Sequence, residues 1–172
     1  MPRALDDDNS GGKEPPGRVA GIDYGTVRIG VALTNTARSI ASPLETYTRR
    51  TDELDAAHFR QLATDEQVAL FVVGLPVHLD GHVGGKAAEA QRFGAWLSEV
   101  TGVPVVYFDE RHTSVEAHEK LTAADLRGKR RKQRIDMLAA QILLEAYLES
   151  PEKAGVDPGG LDDVSRRRGP RR

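Results

Sequence analysis

Four acids stand where apolar runs stop: Asp23, Asp109, Glu110 and Asp136. Asp23 closes the run Val19-Ala20-Gly21-Ile22 and is followed at once by Tyr24-Gly25-Thr26. Asp109 and Glu110 close Val103-Pro104-Val105-Val106-Tyr107-Phe108, and Asp136 stands at the head of the last apolar stripe. A carboxylate in such a place is costly to bury unless something compensates it. Carboxylates gathered together repel one another unless a cation joins them. Oxygen donors without cysteine or a histidine cage suit Mg²⁺ or Mn²⁺. One or two such ions would serve; two held ~3.5–4 Å apart can activate a water and stabilise the leaving oxygen of a phosphodiester.

Each acid also has a plain reading. Asp23 before Gly25 fits a turn acid, and Asp136 fits a first-turn partner of the helix dipole. Asp109-Glu110-Arg111 fits a solvated loop with a surface ion pair. Spacing does not decide between Asp109 and Glu110 as the ligand. The three together carry more weight than any one.

Ahead of Asp136, Arg127, Lys129, Arg130, Arg131, Lys132 and Arg134 place six cations in eight residues. The expectation is a basic loop over 127–134 beside the acids. It would draw a polyanion in a salt-dependent manner. The histidines say less. His58 reads as a helix-surface residue, His78 and His82 as bystanders in a loop, and His112 and His118 as neighbours of the acids.

These residues must be positioned by a fold. The run 18–23, a glycine turn and a second run over 29–33 read as an antiparallel hairpin, with Gly25 in the turn. A weaker third strand spans 39–47. A helix over 52–66 follows, capped by Asp52, with Leu54, Ala57, Phe59 and Leu62 inward. Val68 to Val73 is a continuous apolar run, suited to a strand buried on both faces. A second helix spans 84–101 and stops at Gly102. The strand before Asp109 comes next, then a helix opened by Thr113 and Glu116 at capping-box spacing. The last helix runs over about 135–149, with Ile135, Leu138, Ala139, Ile142 and Ala146 on one stripe. The order β-β-β-α-β-α-β-α-α implies an α/β fold: a mixed sheet, an antiparallel three-strand meander then parallel strands, with helices packed on it. In such sheets sites form at the carboxyl ends of strands.

With 172 residues, 39% hydrophobic and 29% charged, the chain suits one soluble domain with a core. It has no cysteine, so neither a disulfide framework nor a thiolate site arises. No apolar run approaches the ~20 residues of a membrane span. Nothing near Met1 has the form of a signal peptide, and a cytoplasmic location is expected. The net charge of −2 conceals the local basic run. Residues 1–17 read as a disordered leader, 18–150 as the folded domain and 151–172 as a disordered basic tail.

Four motifs in order carry a family resemblance. They are Gly21-Ile22-Asp23-Tyr24-Gly25-Thr26 with Arg28-Ile29-Gly30-Val31-Ala32, Val73-Gly74-Leu75-Pro76 with Asp80-Gly81, Asp109-Glu110-Arg111, and the basic run into Asp136. Together they resemble the YqgF/RuvX family, the Holliday-junction-resolvase-like proteins also described as pre-16S rRNA nucleases. The resemblance implies a ribonuclease H-like fold and a cytoplasmic bacterial nuclease that matures the 5′ end of 16S ribosomal RNA. It places catalysis and metal binding on Asp23, Glu110 and Asp136. Nucleic-acid binding is expected from Arg111, Lys129, Arg130, Arg131, Lys132 and Arg134. His112 departs from the pattern, which has an apolar residue there. The residues alone indicate a polyanion and phosphodiester chemistry; ribosomal RNA rather than a DNA junction comes from the resemblance.

Three other functions fit parts of the pattern: a binding or ribosome-associated module without catalysis, a Holliday junction resolvase, and an actin-like phosphotransferase. The last matches Asp-Tyr-Gly-Thr but needs a two-domain body and a second glycine-rich loop.

Overall fold

The apolar runs form strands, and their alternation decides what each face of the sheet carries. The computed structural model describes residues 16–76, 84–113 and 129–155. Strands β1 (Arg18–Asp23), β2 (Arg28–Thr34) and β3 (Ala41–Thr48) form the expected meander. Helix α1 (Asp52–Asp65) leads into β4 (Val68–Leu75), and α2 (Gly85–Thr101) into β5 (Val105–Asp109). A short 3-10 turn, Glu110–His112, closes β5, and α3 (Lys129–Glu149) is the long helix near the end. The sheet order is β3-β2-β1-β4-β5-β6, where β6 is Ala154–Gly155. β1 pairs β2 antiparallel, whereas β4 is parallel to both β1 and β5. The carboxyl ends of β1, β4 and β5 therefore lie along one edge of the sheet.

Each sheet face has its own core. Ala20, Ile22, Phe71 and Val73 pack with Phe59 of α1 and Phe93 and Leu97 of α2. Val19, Val72 and Phe108 point the other way and pack with Ala140, Leu143, Leu144 and Tyr147 of α3. Residues two apart share a face. Gly21 therefore lies under α3, where a Cβ would stand 2.8 Å from the Ala140 carbonyl oxygen. Fully burying side chains such as Phe59, Phe71 and Phe108 (each 0% exposed) stabilises by ~1.5–3 kcal/mol apiece.

Several expectations need correction. α3 begins at Lys129, so the residues 129–134 expected in a loop are helical. Lysine and arginine are good helix formers, and no glycine or proline interrupts them. Asp136 consequently sits about two turns into the helix rather than in its first turn. Helix α1 buries Asp55, Ala56, Phe59 and Leu62, while Leu54 is 45% exposed. Its cap is Thr51, whose Oγ1 accepts from the Leu54 N–H at 3.3 Å, not Asp52. Order continues beyond Ser150: a 3-10 turn, Pro151–Lys153, leads to β6, which pairs with β5 at Phe108 and Tyr107. The expected helix from Thr113, the loop holding His78 and His82, and the outer parts of both tails lie outside the described residues.

Candidate functional site

Asp23 is the last residue of β1 and shares a face with Gly21, the face that α3 covers. Its partner on β2 is Gly30. A Cβ at Gly30 would stand 1.9 Å from the Asp136 carbonyl oxygen. Only a residue without a side chain lets the helix descend that far. The glycine therefore brings Asp136 down to the level of Asp23. Thr46 of β3 ties the same part of the helix to the sheet, donating from Oγ1 to the Gln133 carbonyl.

Alternation also separates Asp109 from Glu110. Phe108 lies on the α3 face and Tyr107 on the opposite one. Asp109 follows Tyr107 in parity and is only 4% exposed. Its Oδ1 accepts from the Arg111 backbone N–H at 2.9 Å and its Oδ2 from Arg111 Nε at 2.8 Å. Glu110 takes the α3 side. Its Oε1 lies 2.7 Å from where a Gly74 Cβ would be, beside Leu143 of α3. Glu110 and Asp23 line one cavity of about 290 Å³, with Gly25, Gly74 and Lys86 among its walls.

The three acids feel one another. Burial first, then the charges of Glu110 and Asp136, push the Asp23 carboxyl from 3.8 up to about 7. Three segments distant in sequence thus bring negative charge to one place. They do not close into a ready cage: among the described residues no group of three acidic or histidine side chains is spaced to hold a metal ion. Asp136 is turned to Arg28, whose Nε donates to its Oδ2 at 2.8 Å. The donor set is all carboxylate oxygen, which fits a hard divalent cation. The crowding that raises Asp23 is what such a cation would relieve.

The cations lie around this centre. Arg130, Arg131, Lys132 and Arg134 are exposed on the first two turns of α3, and Lys129 is its first residue. Arg111 is exposed, with its guanidinium on Asp109 rather than reaching outward alone. His112, where an apolar residue was expected, is exposed and sets its ring edge-to-face with that of Phe108, centroids 5.9 Å apart. Sequence reasoning missed Arg28 as a partner of Asp136. Its only signal was a place in the first motif, and the pair spans 108 residues.

The sequence model of the RuvX family, described as Holliday junction resolvase, matches residues 17–150. A protein of Rhodopirellula baltica named "Putative pre-16S rRNA nuclease" is 49% identical over 134 residues, covering 78% of either chain. One of the same name from Rhodobacter capsulatus is 40% identical over 133 residues, covering 77% of this chain and 84% of its own. Among solved structures, Thermus thermophilus RuvC aligns with a TM-score of 0.51 at 15% identity, over 80% of this chain and 98% of that one. The shared fold is ribonuclease H-like, as the sequence led one to expect.

Proposed function

The chain belongs to the RuvX family of Holliday-junction-resolvase-like nucleases, and from that premise we propose a divalent-cation-dependent phosphodiester hydrolase that matures the 5′ end of pre-16S ribosomal RNA in the cytoplasm. One observation carries this reading: Asp23 is buried at the end of β1 with the charges of Glu110 and Asp136, from two other segments, beside it, and burial first and those charges second raise its carboxyl to about 7. The names of the relatives support ribosomal RNA as the substrate.

Asp23 and Glu110 would hold the cation from the shared cavity, and Asp136 would join them on leaving Arg28. A bound Mg²⁺ or Mn²⁺ supplies Lewis acidity toward the scissile phosphodiester. The chain supplies the rest. Asp23, Glu110 and Asp136 fix where the phosphate sits, by where their charge can be neutralised. Arg130, Arg131, Lys132 and Arg134 bind the phosphate backbone approaching the start of α3, with Lys129 next before them in the sequence. Arg111 holds Asp109, which keeps the 3-10 turn shaped so that Glu110 faces Asp23. Arg28 steadies Asp136 while substrate is absent.

The test is cleavage of a labelled 16S precursor carrying its 5′ leader, with Mg²⁺ or Mn²⁺ and with chelator. A four-way DNA junction serves as the competing substrate. Metal-dependent cutting of the RNA that Asp23→Asn and Asp136→Asn both abolish is the expected result. Cutting of the junction alone would move the substrate to DNA. Salt-sensitive binding without cutting in any metal would leave a binding module.

A further inference from the structure

Tyr24 follows Asp23, and alternation sends it to the opposite face of the sheet. There its ring stacks on Phe93 of α2, with centroids 4.9 Å apart and planes 29° apart. Phe93 in turn lies 5.5 Å from Trp96, one turn further along α2. Arg49 covers this shelf, its guanidinium carbon 5.7 Å from the Tyr24 ring centre and 5.8 Å from that of Phe93. Arg49 is itself fixed. Its Nε donates to the fully buried Asp55 at 3.1 Å and its Nη1 to the Tyr24 hydroxyl at 3.3 Å.

The shelf forms part of a cavity of about 360 Å³, with Arg92, Asp52 and Glu89 at its rim. Tyr24, Thr26 and Glu89 also line the cavity that holds Asp23 and Glu110. The two spaces therefore share a wall, and a strand whose phosphate reaches the acids passes the shelf with its neighbouring nucleotide.

We propose that this cavity is a subsite for one unpaired nucleobase next to the scissile phosphate, seated against the Trp96 and Tyr24 rings beside the Arg49 guanidinium. The proposal rests on the nuclease reading and adds what that reading lacks, a requirement for single-stranded substrate at one defined position. Three features favour a base over a phosphate. Aromatic faces and a planar guanidinium are the surfaces on which unstacked bases lie. The rim carboxylate of Asp52 can accept from the amino and imino groups of a base edge. Arg49 is already neutralised by Asp55, so it offers a flat face rather than a free charge. A base in a duplex cannot enter without leaving its stack, which ties the subsite to unpaired nucleic acid.

The chain has a single tryptophan, so Trp96 reports on the shelf directly. A short mixed-sequence oligoribonucleotide is titrated into the full chain with chelator present, and binding is followed in parallel by anisotropy of a labelled oligonucleotide. The expected result is quenching of Trp96 emission on binding, absent with a fully paired duplex of the same sequence. One abasic position in the oligonucleotide should restore emission. Trp96→Phe should keep the affinity, and Trp96→Ala should weaken it about tenfold, within the ~5- to 150-fold span that stacking of one base covers. If Trp96→Ala does not fold, the quenching and the abasic series on the unaltered chain decide. Anisotropy that shows binding while Trp96 emission is unchanged at every oligonucleotide would overturn the subsite and leave the nuclease reading standing. Absence of any binding would overturn both, whereas loss of cleavage in Asp23→Asn alone bears only on the acids.

Discussion

Replacing Asp23 by asparagine should make the metal-free protein more stable at neutral and alkaline pH while removing its activity. The carboxyl titrates near 3.8 when unfolded and at about 7 when folded. Between those values the folded chain holds a proton that the unfolded chain has released. Raising the pH through that window therefore withdraws stability from the native state. One pH unit of separation corresponds to ~1.4 kcal/mol, so the full effect has a ceiling of about 4 kcal/mol. From about pH 5 to about pH 8 the wild type should lose about 3 kcal/mol of it. The asparagine side chain has no proton to lose, so the variant should lack that slope. The assay is urea unfolding of both proteins across this range without divalent cation, comparing ΔG of unfolding at each pH. Asp55 does not confuse the window. Burial pushes its carboxyl up, but hydrogen bonds from the Arg50 N–H, Tyr47 and Arg49 outweigh that and hold it below its ordinary value. The stability it contributes is lost only at more acid pH. Adding Mg²⁺ at about pH 8 should stabilise the wild type by mass action and leave the variant unmoved. Parallel stability curves for the two proteins would refute the claim that burial, with the charges of Glu110 and Asp136, raises the Asp23 carboxyl.

Other perturbations have equally definite outcomes. Gly30→Ala would set a Cβ 1.9 Å from the Asp136 carbonyl oxygen. It should cost about 1–3 kcal/mol by denaturant unfolding and lose cleavage out of proportion, since the acid is lifted away. Asp55→Ala strips partners from Tyr47 and Arg49 together. A loss of about 3–5 kcal/mol is expected, as for one half of a buried ion pair, with a fall in thermal midpoint as the readout. Changing Arg130, Arg131 and Lys132 to glutamine should weaken nucleic-acid binding regardless of sequence. It should also flatten the dependence of log affinity on log salt by roughly 0.7 for each single-strand phosphate that is no longer neutralised. An unchanged slope would remove α3 from the interface.

The parts of the site written locally were legible in the sequence. Asp23 could be placed because an apolar run of strand length ends on it, and the sheet followed from periodicity and strand-helix alternation. Asp109 and Glu110 could not be separated by spacing. What separates them is the parity of β5 together with the 3-10 turn that Asp109 caps. The start of α3 was misplaced because a run of cations reads as solvated chain, although each of its residues favours a helix. Arg28 and Asp136, 108 residues apart, could not be paired from one sequence. The same holds for the aromatic shelf. Tyr24 reads as part of a turn and Phe93 as ordinary core, and only the folded sheet end sets one against the other.

Asp23 and Tyr24 are neighbours in the chain with opposite destinations, the one toward α3 and the other toward α2. The strand that delivers them counts in twos. Losing or gaining one residue within Arg18–Asp23 would exchange their destinations, putting the carboxylate among Phe93 and Trp96 and the phenol beneath Asp136. Insertions and deletions there should be far more damaging than most substitutions. A shift by two would restore both faces and displace only the end of the strand. A library of single and double deletions in β1, sorted for folded protein, should therefore show an odd–even pattern.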